Sequence, residues 1–373
     1  MADLGRRDWV VIGGGLVGAA IAWGLARAGA RPLVLDEGDC APRASRANFA
    51  LVWVQGKGLG HPHYALWSRD SAERWPRFAA ELEAETGIDV ALRQPGGFTF
   101  CLSQAELERE RADVEQIARE TGPRAAGFEV LDPAQTRARL PAVGATVAGS
   151  IYSPCDGHVN VLLALRALHA AMAARGCDYR AGHPVRLIEP VPEGFRITGE
   201  WGRLLAGRVV LAAGLGCERL APMVGLACPL KASRGQVIVT EKCAPFFPYA
   251  STAVLQAAEG GFLIGASQDA SGSILTSQQI SAVMAQRAIR VFPALAAVNV
   301  VRTWAGFRVK TRDGYPVYDQ SESAPGAFIA AGHSGVTLAA NHALVLAPQI
   351  LAGRLDPGLG PYSARRFLVP QDH

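Results

Sequence analysis

Gly13, Gly15 and Gly18 stand in the spacing G-x-G-x-x-G within "VVIGGGLVGAA". The chemistry this spacing serves is phosphate binding. The first glycine permits a tight turn, the second lets a pyrophosphate approach the backbone, and the third lets a helix pack on a strand. A second small-residue stretch, "AAGHSGVTLAANHA" at 330–343, also carries a Gly-x-x-Gly step into an apolar, helix-like run. Other chemistries find less support. No Ser–His–Asp set has a recognisable local context. The seven cysteines, at 40, 101, 155, 177, 217, 228 and 243, are odd in number, widely spaced and contain no C-x-x-C. That pattern points to neither a zinc or iron–sulfur site nor a disulfide framework, and no metal is expected.

The elements around the first loop complete its context. Trp9–Ile12 reads as a short apolar strand and Leu16–Ala28 as a helix closed by Gly29. Pro32–Leu35 reads as a second strand that ends on Asp36. The helix N-terminus would face the phosphates with its free N–H groups and positive dipole end. Asp36 follows Gly18 by 18 residues, placed to accept hydrogen bonds from a ribose diol. An acid there disfavours a 2′-phosphate and so argues against NADP. NAD and FAD share the ADP half that this loop reads, so the loop alone leaves both open.

At 373 residues the chain has room for about two domains. Hydrophobic residues make up 49% and charged residues 19%, the balance of a folded globular chain. The net charge of +4 is small and the cations are scattered, so no nucleic-acid stripe is expected. The uncharged run of 18 residues from Trp9 to Ala26 reaches the lower edge of a membrane span. Its five glycines and its division into strand and helix favour a soluble, cytoplasmic chain instead. The strand–turn–helix pattern returns around 145–220 and in the last 70 residues, while antiparallel-looking strands crowd 229–267. This predicts an α/β fold: a discontinuous nucleotide domain (1–80, 145–220, 300–373) with an inserted mixed-sheet substrate domain (81–144, 221–299).

Several separated motifs agree further. "VVIGGGLVGAAIAWGLARAG…LVLDEG", "SRAN", "DGHVN", "RVVLAAG", "PLKASRGQ", "WAGFRVKTRDGYPV" and "AAGHSGVTLA" occur in order over nearly the whole chain. In this the chain resembles the glycine oxidase/D-amino-acid oxidase (DAO) family of flavoproteins. The stretch "ASRANFALVWVQGKG" is most similar to the branch holding the flavin subunits of opine and D-hydroxyproline dehydrogenases and of hydrogen cyanide synthase. The resemblance implies a Rossmann-like, glutathione-reductase-like DAO topology and one bound FAD. It implies oxidation of a CH–NH bond beside a carboxylate to an imine that water hydrolyses. Where monomeric sarcosine oxidases carry a flavin-linking Cys, this chain has Gly306, so the FAD is expected to be dissociable.

The resemblance also assigns residues. Arg308 would anchor the substrate carboxylate through its planar fork. Ser45, Arg46 and Asn48 would reach the pyrophosphate or the flavin edge, with Phe49, Ala50 and Leu51 passing the ring. Val185 would meet the adenine, and Gly214 the phosphates. In the second loop, Gly332, Ser334, Gly335, Val336, Thr337 and Leu338 would grip the ribityl chain and ring, and His333 would neighbour the flavin. The helix there would aim its N–H groups at the pyrimidine edge and favour the reduced anion. Tyr249 or Tyr318 could add a hydroxyl, and His61 or His63 could accept a proton, although no side chain is compelled to act as base. Two activities compete: an oxidase or dehydrogenase working alone or as a homo-oligomer, and a flavin subunit that hands electrons to another chain in a hetero-oligomer. A nucleotide-binding protein without catalysis is a third, weaker reading. The substrate is expected to be a small amino acid or secondary-amine carboxylate.

Overall fold

The computed structural model describes residues 3–38, 43–265 and 267–367. Cys40 and the first residues of the 41–60 loop lie outside them. In chain order the strands are β1 (Asp3–Ile12), β2 (Leu33–Leu35), β3 (Leu51–Val52), β4 (Gly97–Cys101), β5 (Glu129–Leu131) and β6 (Gly149–Ser153). Then come β7 (Gly157–His158), β8 (Asp178–Arg180), β9 (Leu187–Val191), β10 (Gly194–Gly199), β11 (Gly202–Leu211) and β12 (Leu230–Lys242). The last are β13 (Ala250–Ser251), β14 (Val254–Gln256), β15 (Gly261–Ile264), β16 (Val300–Thr311), β17 (Val317–Gln320) and β18 (Ala327–Ala331). The helices are α1 (Leu16–Arg27), α2 (Pro62–Thr86), α3 (Gln104–Thr121), α4 (Pro133–Arg139), α5 (Val161–Ala174), α6 (Cys217–Leu220), α7 (Gln278–Val291), α8 (Gly335–Asn341) and α9 (Ala347–Leu351).

The largest sheet runs β17-β18-β11-β1-β2-β8. Its central five strands are parallel, and β17 and the β9–β10 hairpin are antiparallel additions. Parallel strands need cover on both faces, and the central residues Val10, Val11, Val209 and Val210 are fully buried. One face carries α1, α5 and the helical run from Gly335 to Leu351, whose middle turn, His342–Leu346, is π-helical. The other face packs against the hairpin and the Cys217–Val224 turns. β1 begins at Asp3 rather than Trp9, because the long β11 pairs with it from Asp3 opposite Arg203 onward.

Two four-stranded sheets form the second body, β14-β15-β12-β16, which is antiparallel, and β13-β4-β6-β5. Strand pairing divides the chain differently from the sequence-based boundaries at two places. Residues 149–153, read with the nucleotide domain, pair with β4 and β5, and residues 300–311 pair along the whole of β12. Both strands are adjacent in sequence to nucleotide-domain elements, and only their distant partners decide where they belong.

Candidate functional site

The turn after β1 is built as the glycine spacing requires. Gly13 has φ +107°, and a Cβ on Gly18 would stand 1.9 Å from the Gly13 carbonyl oxygen. α1 therefore packs directly on the strand end. Asp36 follows β2, and its Oδ2 accepts the Gly14 N–H at 2.7 Å. Ser45 Oγ accepts the Leu16 N–H at 2.8 Å, and His169 Nε2 meets the Gly14 carbonyl oxygen at 2.8 Å.

The second loop follows β18. Gly332 has φ +145°, Ser334 is held at φ +64°, and α8 begins at Gly335 with no side chain capping it. Ser334 Oγ accepts from the Tyr64 hydroxyl at 2.9 Å and meets His333 Nδ1 at 3.0 Å. Thr337, in the first turn, accepts on Oγ1 from Lys57 Nζ at 2.9 Å and from the Trp53 N–H at 3.1 Å.

Both loops open onto one cavity of about 660 Å³. It is lined by Gly13, Gly15, Asp36, Ser45, Arg46, Asn48, Phe49, Leu51, Val185, Gly214, Gly306, Arg308, Gly332, His333, Ser334, Gly335, Val336 and Thr337. Gly18, Ala50 and Leu338 stand behind this lining. Gly18 makes the strand–helix contact, Ala50 (φ +66°) is tied by its N–H to Asn48 Oδ1, and Leu338 is buried in the helical core. The tyrosine and loop-histidine candidates also lie elsewhere. The Tyr318 hydroxyl is buried against His342 Nε2 at 2.8 Å, Tyr249 packs on Phe98, and His61 is exposed and stacks on Tyr315. His63 is exposed as well. Asp156 of "DGHVN" is fully buried and accepts from the N–H groups of Val54 and Gln55 and from Gln55 Nε2.

Arg308 reaches the cavity from β16, opposite Ser233 of β12. Its guanidinium lies over Gly235, where a Cβ would be 2.4 Å from Nη1, so any larger residue there would displace the guanidinium. Nη1 donates to the Arg234 carbonyl at 3.2 Å. Burial pulls the Arg308 pKa down, and the nearby Asp269 carboxylate opposes this. Burial, with Lys57, Lys310 and Arg308 adding to it, drives the His333 pKa down to about 3, so its ring is neutral across the physiological range. Sequence reasoning missed Lys57, His169, Tyr179, Gln236 and Thr252, which also line the cavity. Lys57 did carry a signal, being the one charge in the run 47–60. Burial lowers its pKa to about 7, and Asp156 opposes that shift.

The acids among the described lining residues, Asp36 and Glu37, belong to the first-loop end, where Glu37 pairs with Arg43, and Arg46 and Arg219 line the cavity as well. At the other end Lys57 is fixed to the second loop and Arg308 acts on His333, with no described acid in the lining. No group of His, Cys, Asp and Glu among the described residues could hold a metal ion, and no described helix is long and apolar enough to cross a membrane.

Known proteins share this sequence pattern and fold. The model of the FAD dependent oxidoreductase (DAO) family matches residues 8–349. The chain is 59% identical to an opine oxidase subunit of Agrobacterium tumefaciens and 58% identical to its counterpart of the same name in Rhizobium meliloti, covering 98% of each chain in both cases. The crystal structure of glycine oxidase from Geobacillus kaustophilus superposes with a TM-score of 0.89 at 25% identity, over 97% of this chain and 99% of that one. A dinucleotide loop, a second glycine loop on the same cavity and a family match over most of the length agree: the chain belongs to the DAO family of FAD-dependent oxidoreductases, enzymes acting on amino acids.

Proposed function

We propose that this chain oxidises the CH–NH bond of a secondary amino acid of the opine type to an imine, with FAD lying between the two loops. The observation that carries this is Arg308, a half-buried guanidinium opening on the same cavity as both loops and bonded, among the described residues, only to a neutral carbonyl. A partly desolvated cation of this kind is stabilised by an anion, and an amino-acid carboxylate fits its fork. The first-loop end fits an ADP half: Asp36 would face its ribose, and the opening turn of α1 its phosphates. The second-loop end fits a flavin ring, with the opening turn of α8 suited to a site of developing negative charge. Bound there, FAD would supply the two-electron acceptor.

The chain's residues do the positioning. Arg308 holds the carboxylate and so orients the carbon–nitrogen bond. Arg308 and Lys57 raise the local positive potential, which favours the neutral amine that must react. Neutral His333 and Ser334 offer hydrogen-bonding groups without adding charge. The antiparallel sheet β14-β15-β12-β16 carries Arg308, and the parallel sheet carries both glycine loops.

Arg308→Ala should raise KM for a carboxylate substrate on the order of 100-fold while FAD stays bound, since truncating a buried charged partner costs roughly 2–5 kcal/mol. An unchanged KM would refute the anchor. The likeness to two proteins named as subunits favours work within a hetero-oligomer that takes the electrons onward. Anaerobic reduction by substrate followed by rapid mixing with oxygen tests this, because fast reoxidation of the isolated chain removes the need for a partner. The described cysteines are all free, which suits a reducing cytoplasm.

A further inference from the structure

We propose that Lys57 receives a second substrate carboxylate, so that the site selects secondary amines bearing a carboxylate on each N-substituent. This rests on the reading of the cavity as a flavin site for amino-acid substrates. Lys57 and Arg308 come from different elements, the segment after β3 and the middle of β16, and both open on the cavity. Each is held by a neutral oxygen, Lys57 by Thr337 Oγ1 at 2.9 Å and Arg308 by the Arg234 carbonyl at 3.2 Å. The acids that act on them are engaged elsewhere. Asp156 is bonded to Val54 and Gln55, and Asp269 forms an ion pair with Arg234 at 3.0 Å. Neither makes an ion pair with Lys57 or Arg308. The described acids lining the cavity sit at the far end, with Asp36 on Gly14 and Glu37 paired to Arg43.

Lys57, Arg308 and His333 line one cavity, and Lys57 is bonded to Thr337, four residues from His333. The His333 ring is neutral, so it supplies no counter-charge. A substrate with one carboxylate neutralises Arg308 and leaves Lys57 without an anion. A second carboxylate across the amine nitrogen supplies that anion. The competing assignment, Lys57 as a partner for the flavin alone, predicts equal effects on every ligand.

The test uses the FAD-loaded protein and two unreactive ethers, oxydiacetate with two carboxylates and methoxyacetate with one. Binding is read from perturbation of the flavin absorption spectrum. The wild-type protein should bind oxydiacetate about 10-fold or more tighter, the size of a hydrogen bond to a charged group. Lys57→Met should remove that advantage while changing methoxyacetate binding less than about threefold, and Lys57→Arg should keep most of it. Equal affinities in the wild type overturn the proposal without any variant. Equal losses for both ethers, or loss of FAD from Lys57→Met, assign Lys57 to the cofactor and overturn it too. A wild-type protein that takes up no FAD sinks the flavin-site reading itself, a separate and recognisable failure.

Discussion

The two glycine loops share a local design and differ in how the chain completes them. At the first, side chains fill the turn: Asp36 takes the Gly14 N–H, Ser45 takes the Leu16 N–H, and His169 meets the Gly14 carbonyl. At the second, no side chain caps α8, and the added group is a lysine held at Thr337. One loop has an acid bonded into its turn, with arginines also in the lining near it, and the other has a cation and no described acid. The lesson is that a glycine-rich strand–helix turn specifies close backbone approach, and that residues contributed from elsewhere decide which charge it welcomes. A diol and a preset phosphate pair suit the first end, and a group that becomes negative during reaction suits the second.

Breaking the first loop should have the largest effect. Gly18→Val places methyl groups where even a Cβ stands 1.9 Å from the Gly13 carbonyl, so α1 must leave the strand. Overpacking of this kind costs about 1–3 kcal/mol. The variant should purify without FAD and with a lowered Tm. A variant that keeps stoichiometric flavin would show that the helix contact is not what shapes the turn. Asp36→Ala is milder. It removes the acceptor for the Gly14 and Gly38 N–H groups and for a ribose, so FAD affinity should fall about 10-fold or more, with substrate KM little changed at saturating FAD. An equal loss in both quantities would mean that the two ends of the cavity are not independent.

Much of the first end was legible, because its strand, turn, helix and acid lie within residues 8–38 and obey local rules. The second loop was legible as a turn and helix, and its neighbours were not. Lys57, His169 and Tyr179 reach the cavity from segments brought in by long-range packing. The partners of β6 and β16 were hidden for the same reason, since strand partners are a tertiary choice that periodicity does not encode. Tyr249 and Tyr318 mislead in the opposite way. Their sequence context admits a pocket hydroxyl, and the structure gives one to an aromatic cluster and the other to His342.

The smallest effect sharpens the cation end. Asp156 anchors the segment that delivers Lys57, and burial lifts its pKa to about 6 against the hydrogen bonds that favour its ionised form. A carboxyl whose folded pKa lies above its unfolded value stabilises the fold at low pH, and that contribution is lost as pH rises through about 6. Asp156→Asn should therefore flatten the fall in Tm between about pH 4 and 6. The asparagine can still accept the Val54 N–H. Its amide N–H also meets a waiting partner, because Gln55 Oε1 is buried with no hydrogen bond and the Gln55 amide can turn to use it. Thermal unfolding measured across that pH range checks the slope. Oxydiacetate binding checks the comparison itself. If Asp156 were the counter-ion of Lys57, the Asn variant would bind the dianion several-fold tighter. If Asp156 acts on Lys57 only from a distance, its carboxylate being engaged by Val54 and Gln55, the affinity stays within about twofold.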